Sequence, residues 1–196
     1  MKELLKKIII QNEDFDSSKK SKEENILENS AKENYVYKKI ISQGENNFVE
    51  FKSSLRWDYE KNNTNRILEY VVAKTMCAFL NADGGKLIIG VDDSGAALGL
   101  EKDYQTLHKK NKDGFLLQLT QIINQYLGKE FYHYIDWRII EIDGADICIV
   151  EILPSDIPAY LNNENNNEFF VRKSSSSQPL NMRQVAEYIK LHWSNI

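Results

Sequence analysis

The chain has 196 residues, 42% of them hydrophobic and 28% charged, with a formal net charge of −4. These proportions sit near globular averages and exclude a chain too polar to bury a core. The longest apolar runs, such as Leu87-Ile88-Ile89 and Ile147-Cys148-Ile149-Val150, fall far short of the roughly 20 residues that a bilayer span requires.

Charge is unevenly placed. Residues 1–44 carry nine Lys against eight acids, net +1, while residues 45–196 carry 16 Lys or Arg against 21 acids, net −5. Affinity for phosphate backbones comes largely from cations that displace counterions, so an acidic body is not built for phosphate alone. Acids gathered around a metal would account for it. Cys77 and Cys148 suit neither a zinc knuckle nor a disulfide framework, which points to a reducing, cytoplasmic setting. The apolar run in MKELLKKIII is three residues long and has no small-residue cleavage site, so no secretory leader is expected.

Residues 2–11 have Leu4, Leu5, Ile8 and Ile9 at helical spacing and predict a short amphipathic helix. Residues 12–31 are polar and without sustained period, which reads as a tether. The domain boundary is expected at 31/32, giving a 1–31 appendage and a 32–196 domain. A helix over 35–42 should stop at Gly44. Residues 48–52 then read as a strand with Glu50 and Lys52 on one face. Asn62-Asn63-Thr64 is expected to cap a helix whose apolar face is Ile67, Val71, Val72, Thr75, Met76 and Phe79 and which ends near Leu80. After the turn at 81–85 comes a buried strand over 86–91, then a second turn at Asp92-Asp93-Ser94-Gly95. A further helix is predicted over 113–127. Long strands over 131–142 and 145–153 flank Asp143-Gly144, a strong hairpin signal. A polar loop over 162–167, a strand over 168–173 and a helix capped by Asn181 complete the chain. Mixed strands and helices with an evident hairpin predict an α+β domain with a mixed, largely antiparallel sheet.

Gly84-Gly85-Lys86 superficially suggests a phosphate loop. That loop needs a Gly where Leu80 stands and a Ser or Thr where Leu87 stands, so no ATP site is expected. His108, His133 and His192 share no spacing with each other or with a cysteine, which leaves no nucleophilic triad. Carboxylates are more informative. Glu45, Glu50, Asp92 and Asp93 fall at element ends, where oxygen ligands suit Mg²⁺ or Mn²⁺. Glu50-x-Lys52 sets an acid beside an ammonium, able to hold metal and to stabilise developing charge.

A longer pattern is also present. It comprises Glu45-x-x-x-x-Glu50-Phe51-Lys52, Ala78-Phe79-x-Asn81-x-x-Gly84-Gly85-x-Leu87-x-Ile89-Gly90-Val91-Asp92-Asp93, then Gly99 and Phe169-Phe170-Val171-Arg172. It resembles the Schlafen AlbA_2 domain over about residues 36–194. The resemblance implies a single lobe built on an Alba-like sheet flanked by helices. In vertebrate members two such lobes form a horseshoe that cleaves tRNA or rRNA with a divalent metal, whereas many bacterial members are DNA-binding modules attached to regulators. By motif position the catalytic acids fall on Glu45, Glu50 and Asp93, with Asp92 beside the last as a further metal ligand. The motif lysine falls on Lys52 and the arginine on Arg172. In this chain Arg172 is followed by Lys173 and four serines, and the zinc cluster of vertebrate members has no counterpart.

Three readings follow. The first is a metal-dependent endoribonuclease that acts on a tRNA-like RNA through Glu45, Glu50, Asp93 and Lys52 with Mg²⁺ or Mn²⁺. Lys109, Lys110, Lys112, Arg172 and Lys173 would grip the backbone. The second is a non-catalytic DNA- or RNA-binding module in a regulatory or defence assembly. The third is a scaffold that meets a protein partner through its N-terminal helix. A single lobe grips little backbone, so a two-fold homodimer with the acidic clusters facing a shared groove is expected, with no membrane partner. Glu50 is expected in an open cleft, where Glu50→Gln should scarcely disturb folding.

Overall fold

The computed structural model describes residues 28–163 and 166–193. The helix expected over 2–11 and most of the tether lie outside these residues. The chain divides into two compact units, meeting at Ile40 and Ile41. Helix α1 covers residues 28–42, so it takes in the end of the stretch expected as tether. Glu28 and Lys32 form an i,i+4 ion pair at 2.7 Å on its exposed side, a spacing that adds modest helical support. The Gly44 N–H returns to the Ile41 carbonyl at 3.0 Å and closes the helix.

The remaining elements follow in order: β1 (Val49–Lys52), β2 (Trp57–Asp58), β3 (Asn63–Thr64), α2 (Ile67–Leu80), β4 (Gly85–Ile89), α3 (Glu101–Thr106) and α4 (Lys112–Tyr126). A 3₁₀ segment, Lys129–Tyr134, leads to β5 (Ile135–Ile142), β6 (Ala145–Ile152), β7 (Leu161–Asn163), β8 (Asn166–Glu168), β9 (Phe170–Lys173), β10 (Ser176–Pro179) and α5 (Met182–His192). The main sheet has the order β1-β4-β6-β5. β1 is parallel to β4 and the other two pairings are antiparallel. This is the α+β architecture with a mixed, mostly antiparallel sheet. Among the described residues no helix is long and apolar enough to cross a membrane.

One sheet face carries Leu87 and Ile89 of β4 with Cys148, Val150 and Ile152 of β6. Together with Val72, Met76 and Phe79 of α2 and Phe115, Leu119 and Ile122 of α4 they form the main core. The periodicity of α2 thus selects its buried stripe, except that Ile67, in the first turn, stays 68% exposed. The glycine pair after α2 has two separate causes. Gly84 has φ +72°, and a Cβ there would lie 2.5 Å from the Ile152 carbonyl oxygen. At Gly85 a Cβ would meet the Phe79 ring, so the strand can start against α2 only without a side chain.

Asn81 ties this turn to distant chain. It is fully buried. Its Nδ2 donates to the Ala159 carbonyl at 2.7 Å and the Phe170 carbonyl at 3.0 Å, and its Oδ1 accepts the Ala159 N–H at 2.8 Å. A side-chain amide therefore serves as a backbone partner for two strand-like segments that lack one.

Four expectations need correction. Asn63 and Thr64 pair with Asp58 and Trp57 in a small hairpin rather than capping α2. Asn65 does that work, its Oδ1 accepting the Ile67 N–H at 3.1 Å. The strand expected from 131 begins at Ile135, because Lys129–Tyr134 winds as a 3₁₀ segment. The polar stretch at 162–167 contributes to the pair β7–β8, and the serine run supplies β10, whose Ser177 faces Arg172. Polar strands of this kind lack an apolar alternation and give no periodic signal.

Asn81→Ala takes the amide from the Phe170 carbonyl and the Ala159 N–H, and leaves the Ala159 carbonyl only the Cys77 thiol at 3.4 Å. Each such loss costs about 1–3 kcal/mol, so we expect destabilisation of roughly 3 kcal/mol or more. Urea denaturation followed by tryptophan fluorescence checks this.

Candidate functional site

β1 is an edge strand, and side chains satisfy its outer edge. Phe48, Glu50 and Lys52 turn their backbone groups toward β4, as the Lys86 N–H to Phe48 and Gly90 N–H to Lys52 bonds show, both 2.8 Å. Val49 and Phe51 turn theirs outward. The Glu45 carboxylate accepts the Phe51 N–H at 2.7 Å. Arg172 Nη2 donates to the Val49 carbonyl at 3.1 Å and the Asn46 carbonyl at 2.7 Å, while its Nη1 donates to Glu50 Oε2 at 2.7 Å. The other Glu50 oxygen accepts from Lys52 Nζ, which also donates to the Phe51 carbonyl at 2.8 Å. The Arg172 guanidinium lies over the Phe79 ring, 4.8 Å from its centroid, a cation–π contact in a desolvated place.

These contacts settle where Glu50 and Arg172 stand. The Arg172 side chain is 1% exposed and that of Glu50 12%. Glu50 is not an open-cleft acid, because desolvation beside Arg172 makes it half of a nearly buried ion pair. Arg172 reaches no solvent-side ligand. It is a positioning residue for β1.

A second network shapes the loop after β1. Asp103, 1% exposed, accepts from Ser54 Oγ at 2.7 Å and from the N–H groups of Leu55, Arg56 and Trp57 at 3.0, 2.9 and 3.2 Å. Burial pushes its carboxyl up, against the downward pull of these donors. Beneath the loop, Arg56 lies 3.3 Å from Glu69, and Gln118 donates to the same Glu69 oxygen at 3.0 Å. No spacing in the sequence marked Asp103, whose partners lie 46–49 positions away. An acid in a short helix carries no periodic signature.

The loop, the end of β1 and the turn after β4 enclose a cleft of about 320 Å³, lined among others by Lys52, Ser53, Trp57, Tyr59 and Asp93. The Gly90 and Val91 N–H groups both bond the Lys52 carbonyl, and this sets Asp92 and Asp93 just beyond the end of β1. Asp92 turns back on its own loop: its Oδ1 accepts from the Ser94 hydroxyl at 2.6 Å and from the Ser94 and Ala96 N–H groups at 2.9 Å. Those bonds, the Ser94 hydroxyl foremost, hold its carboxyl below the ordinary range. Asp93 is exposed.

The remaining candidates are dispersed. Lys109 pairs with Asp113 and Lys112 with Asp146, both at 2.7 Å. Lys110 and Lys173 are exposed. His108, His133 and His192 are all exposed, His133 against Tyr134 and His192 stacked on Tyr188.

The donor set does not fit a three-carboxylate metal centre as it stands. Both Glu50 oxygens hold cations, one Glu45 oxygen holds the Phe51 amide, and Asp92 Oδ1 holds its own turn. Among the described residues, no three His, Cys, Asp or Glu side chains gather where they could hold a metal ion.

Breaking the Glu50–Arg172 pair tests its structural weight. Arg172→Ala leaves Glu50 nearly buried without its strongest partner and should cost about 3–5 kcal/mol. Glu50→Gln keeps the shape and should cost less, roughly 1–3 kcal/mol, as Arg172 retains its two carbonyls. A double-mutant cycle in urea would give a coupling energy near zero if the pair were merely superficial.

The sequence pattern of the family described as Schlafen, AlbA_2 matches residues 45–181, a span that contains the β1 edge, the cleft and Arg172. No curated protein matches the chain. Among solved structures, the DIP2311 protein from Corynebacterium diphtheriae is similar at 17% identity and a TM-score of 0.51, over 74% of this chain and 24% of that one. The chain thus spans about a quarter of that protein's length, and the similarity concerns fold. The N-terminal domain of an ATP-dependent DNA helicase RecG-related protein from Nitrosomonas europaea matches at 20% identity with a TM-score of 0.41, over 66% of this chain and 80% of that one. With the family pattern extending over more than half of its residues, the chain belongs to the Schlafen AlbA_2 family.

Proposed function

We propose that this domain binds single-stranded nucleic acid, RNA or DNA, in the cleft at the end of β1. The observation that carries the reading is the cleft's composition. The Lys52 ammonium, which also holds Glu50, shares it with the Trp57 and Tyr59 rings, Tyr59 being 39% exposed, and with the carboxylates of Asp58, Glu60 and Asp93. Ammonium and aromatic faces are the two elements of sequence-tolerant strand binding: the cation meets phosphate and the ring stacks on a base. The cleft also lies where a parallel pair of strands ends, the usual ligand position of open sheets with such pairs. Exposed Lys110 and Lys173 are the remaining candidates for backbone contacts, since Lys109 and Lys112 hold acids of the chain itself.

Few cations take part, so affinity should depend weakly on salt. Three phosphate contacts give a slope of roughly −2 in log K against log salt for a single strand. Tyr59→Ala should weaken binding about tenfold, within the range of one lost stacking partner, and Lys52→Ala should weaken it and flatten the slope. Fluorescence anisotropy with labelled single-stranded RNA and DNA reads both. Unchanged affinity in both variants would refute this location.

Metal-dependent RNA cleavage is a second reading, favoured by Asp93 sharing the cleft with Lys52, two positions along the strand from Glu50. It requires Glu45 and Glu50 to exchange their present partners for a Mg²⁺ or Mn²⁺ ion when substrate is bound. Incubation with tRNA in Mn²⁺ or EDTA decides between the readings. RNA shortened only with Mn²⁺ indicates the nuclease, and RNA bound but intact under both conditions indicates a binding module.

A further inference from the structure

The two edges of the main sheet are treated differently. At β1 the outward backbone groups are covered by Glu45 and Arg172. β5, eight residues long, forms the opposite edge. Its hairpin partner fixes which groups point outward. Asp143 and Gly144 have φ +53° and +80°, the signature of a two-residue primed turn, so Ile142 and Ala145 form the hydrogen-bonded closing pair. Alternation then directs Ile140, Arg138 and Asp136 toward β6, consistent with the Leu153 N–H bonding the Tyr134 carbonyl at 2.8 Å. Trp137, Ile139 and Glu141 present their N–H and C=O groups to the open side, as does the Ile135 carbonyl, the Ile135 N–H being bonded to the Tyr132 carbonyl.

Natural edges are usually blunted by proline, lysine, a bulge or a short strand. β5 has the sequence IDWRIIEI and pairs in unbroken register along all eight residues, so charge alone, at Asp136, Arg138 and Glu141, guards this edge. We propose that β5 pairs antiparallel with β5 of a second copy of this chain, about a two-fold axis through Trp137, to form a continuous eight-stranded sheet.

The register follows from charge and symmetry. A two-fold axis perpendicular to the sheet pairs residues of equal parity. Centred on Arg138 or Asp136, it sets like charges directly opposite each other. Centred on Ile139, it sets Arg138 and Asp136 against isoleucines. Centred on Trp137, it sets Asp136 opposite the partner's Arg138 and Arg138 opposite the partner's Asp136, two opposite-charge pairs at the closer, non-hydrogen-bonded spacing. The Asp136 side chain is 79% exposed and lies 3.5 Å from Arg138, which also donates to Glu151 of β6 at 3.2 Å, so each Arg138 would be shared between Glu151 and the partner's Asp136. On the core face the same register brings Ile135 against the partner's Ile139, extending a row whose Trp137 and Ile139 are only partly buried. The two β1 clefts then lie at opposite ends of the joined sheet rather than across one shared groove.

Sedimentation equilibrium of the full chain at tens of micromolar should give twice 22.8 kDa. Arg138→Glu places four acids along the junction and should raise the dissociation constant at least tenfold, as should Asp136→Arg. The double swap Asp136→Arg/Arg138→Glu should restore the dimer. Hydrogen exchange of the wild-type protein should show Trp137 and Ile139 amides protected in proportion to concentration, which reads the interface without any variant. A monomer at 22.8 kDa, a dimer indifferent to Arg138→Glu, or these amides exchanging freely in a dimer would each overturn the proposal.

Discussion

The buried guanidinium of Arg172 is the constraint on which this fold's edge depends. An edge strand must place its outward N–H and C=O groups somewhere, and β1 cannot use a neighbouring strand on that side. Arg172 supplies the missing donors to Asn46 and Val49, binds Glu50, and rests on Phe79. Each support has its own precondition. Phe79 reaches that position because Gly85 carries no side chain, and β9 is held near α2 by the Asn81 amide. The polar interior is therefore a connected chain of dependences running from the α2–β4 turn to the β1 edge.

This arrangement changes the meaning of the acidic residues that the family pattern singles out. Glu45 and Glu50 serve as acceptors for the chain's own amides and cations, and Asp92 folds its loop. Asp93 is the acid of the pattern that faces the cleft beside Lys52, with Asp58 and Glu60 on the same lining. A nucleic-acid strand entering there would meet the Lys52 ammonium, shared with Glu50, and two rings, with Lys102 5.4 Å from the centroid of Trp57. That composition agrees with the net charge of −4 of the chain as a whole and with recognition that depends on stacking more than on phosphate. Family membership brings the domain toward nucleic acid as a reading, while the geometry of the acids keeps cleavage a separate question.

Much of the scaffold was legible because local chemistry and burial agree. The α2 stripe, the turn at Asn81-Ala82-Asp83-Gly84-Gly85, the Asp143-Gly144 hairpin and the Asn181 capping box each combine a period with a specific stop or turn residue. Elements that lack an apolar period were misread. The hairpin at Trp57–Asp58 and Asn63–Thr64 and the serine strand β10 are polar, and their pairing comes from tertiary neighbours. The site was legible only in part. Lys52 and Asp93 were found at the cleft, but the burial of Glu50 depends on an arginine 122 positions later. Asp103 organises its loop across a gap of similar kind. Such pairings are set by the folded topology and leave no trace in spacing.

The central claim is that Glu45 and Glu50 hold β1 rather than standing open to a cation. Electron paramagnetic resonance of Mn²⁺ titrated into the protein without nucleic acid tests it most directly. The account predicts a free-ion spectrum until Mn²⁺ reaches the millimolar range, because Glu50 would have to give up Arg172 and Lys52 to bind it. One Mn²⁺ bound stoichiometrically at micromolar concentration, and released by Glu50→Gln in a protein that remains folded, would contradict it.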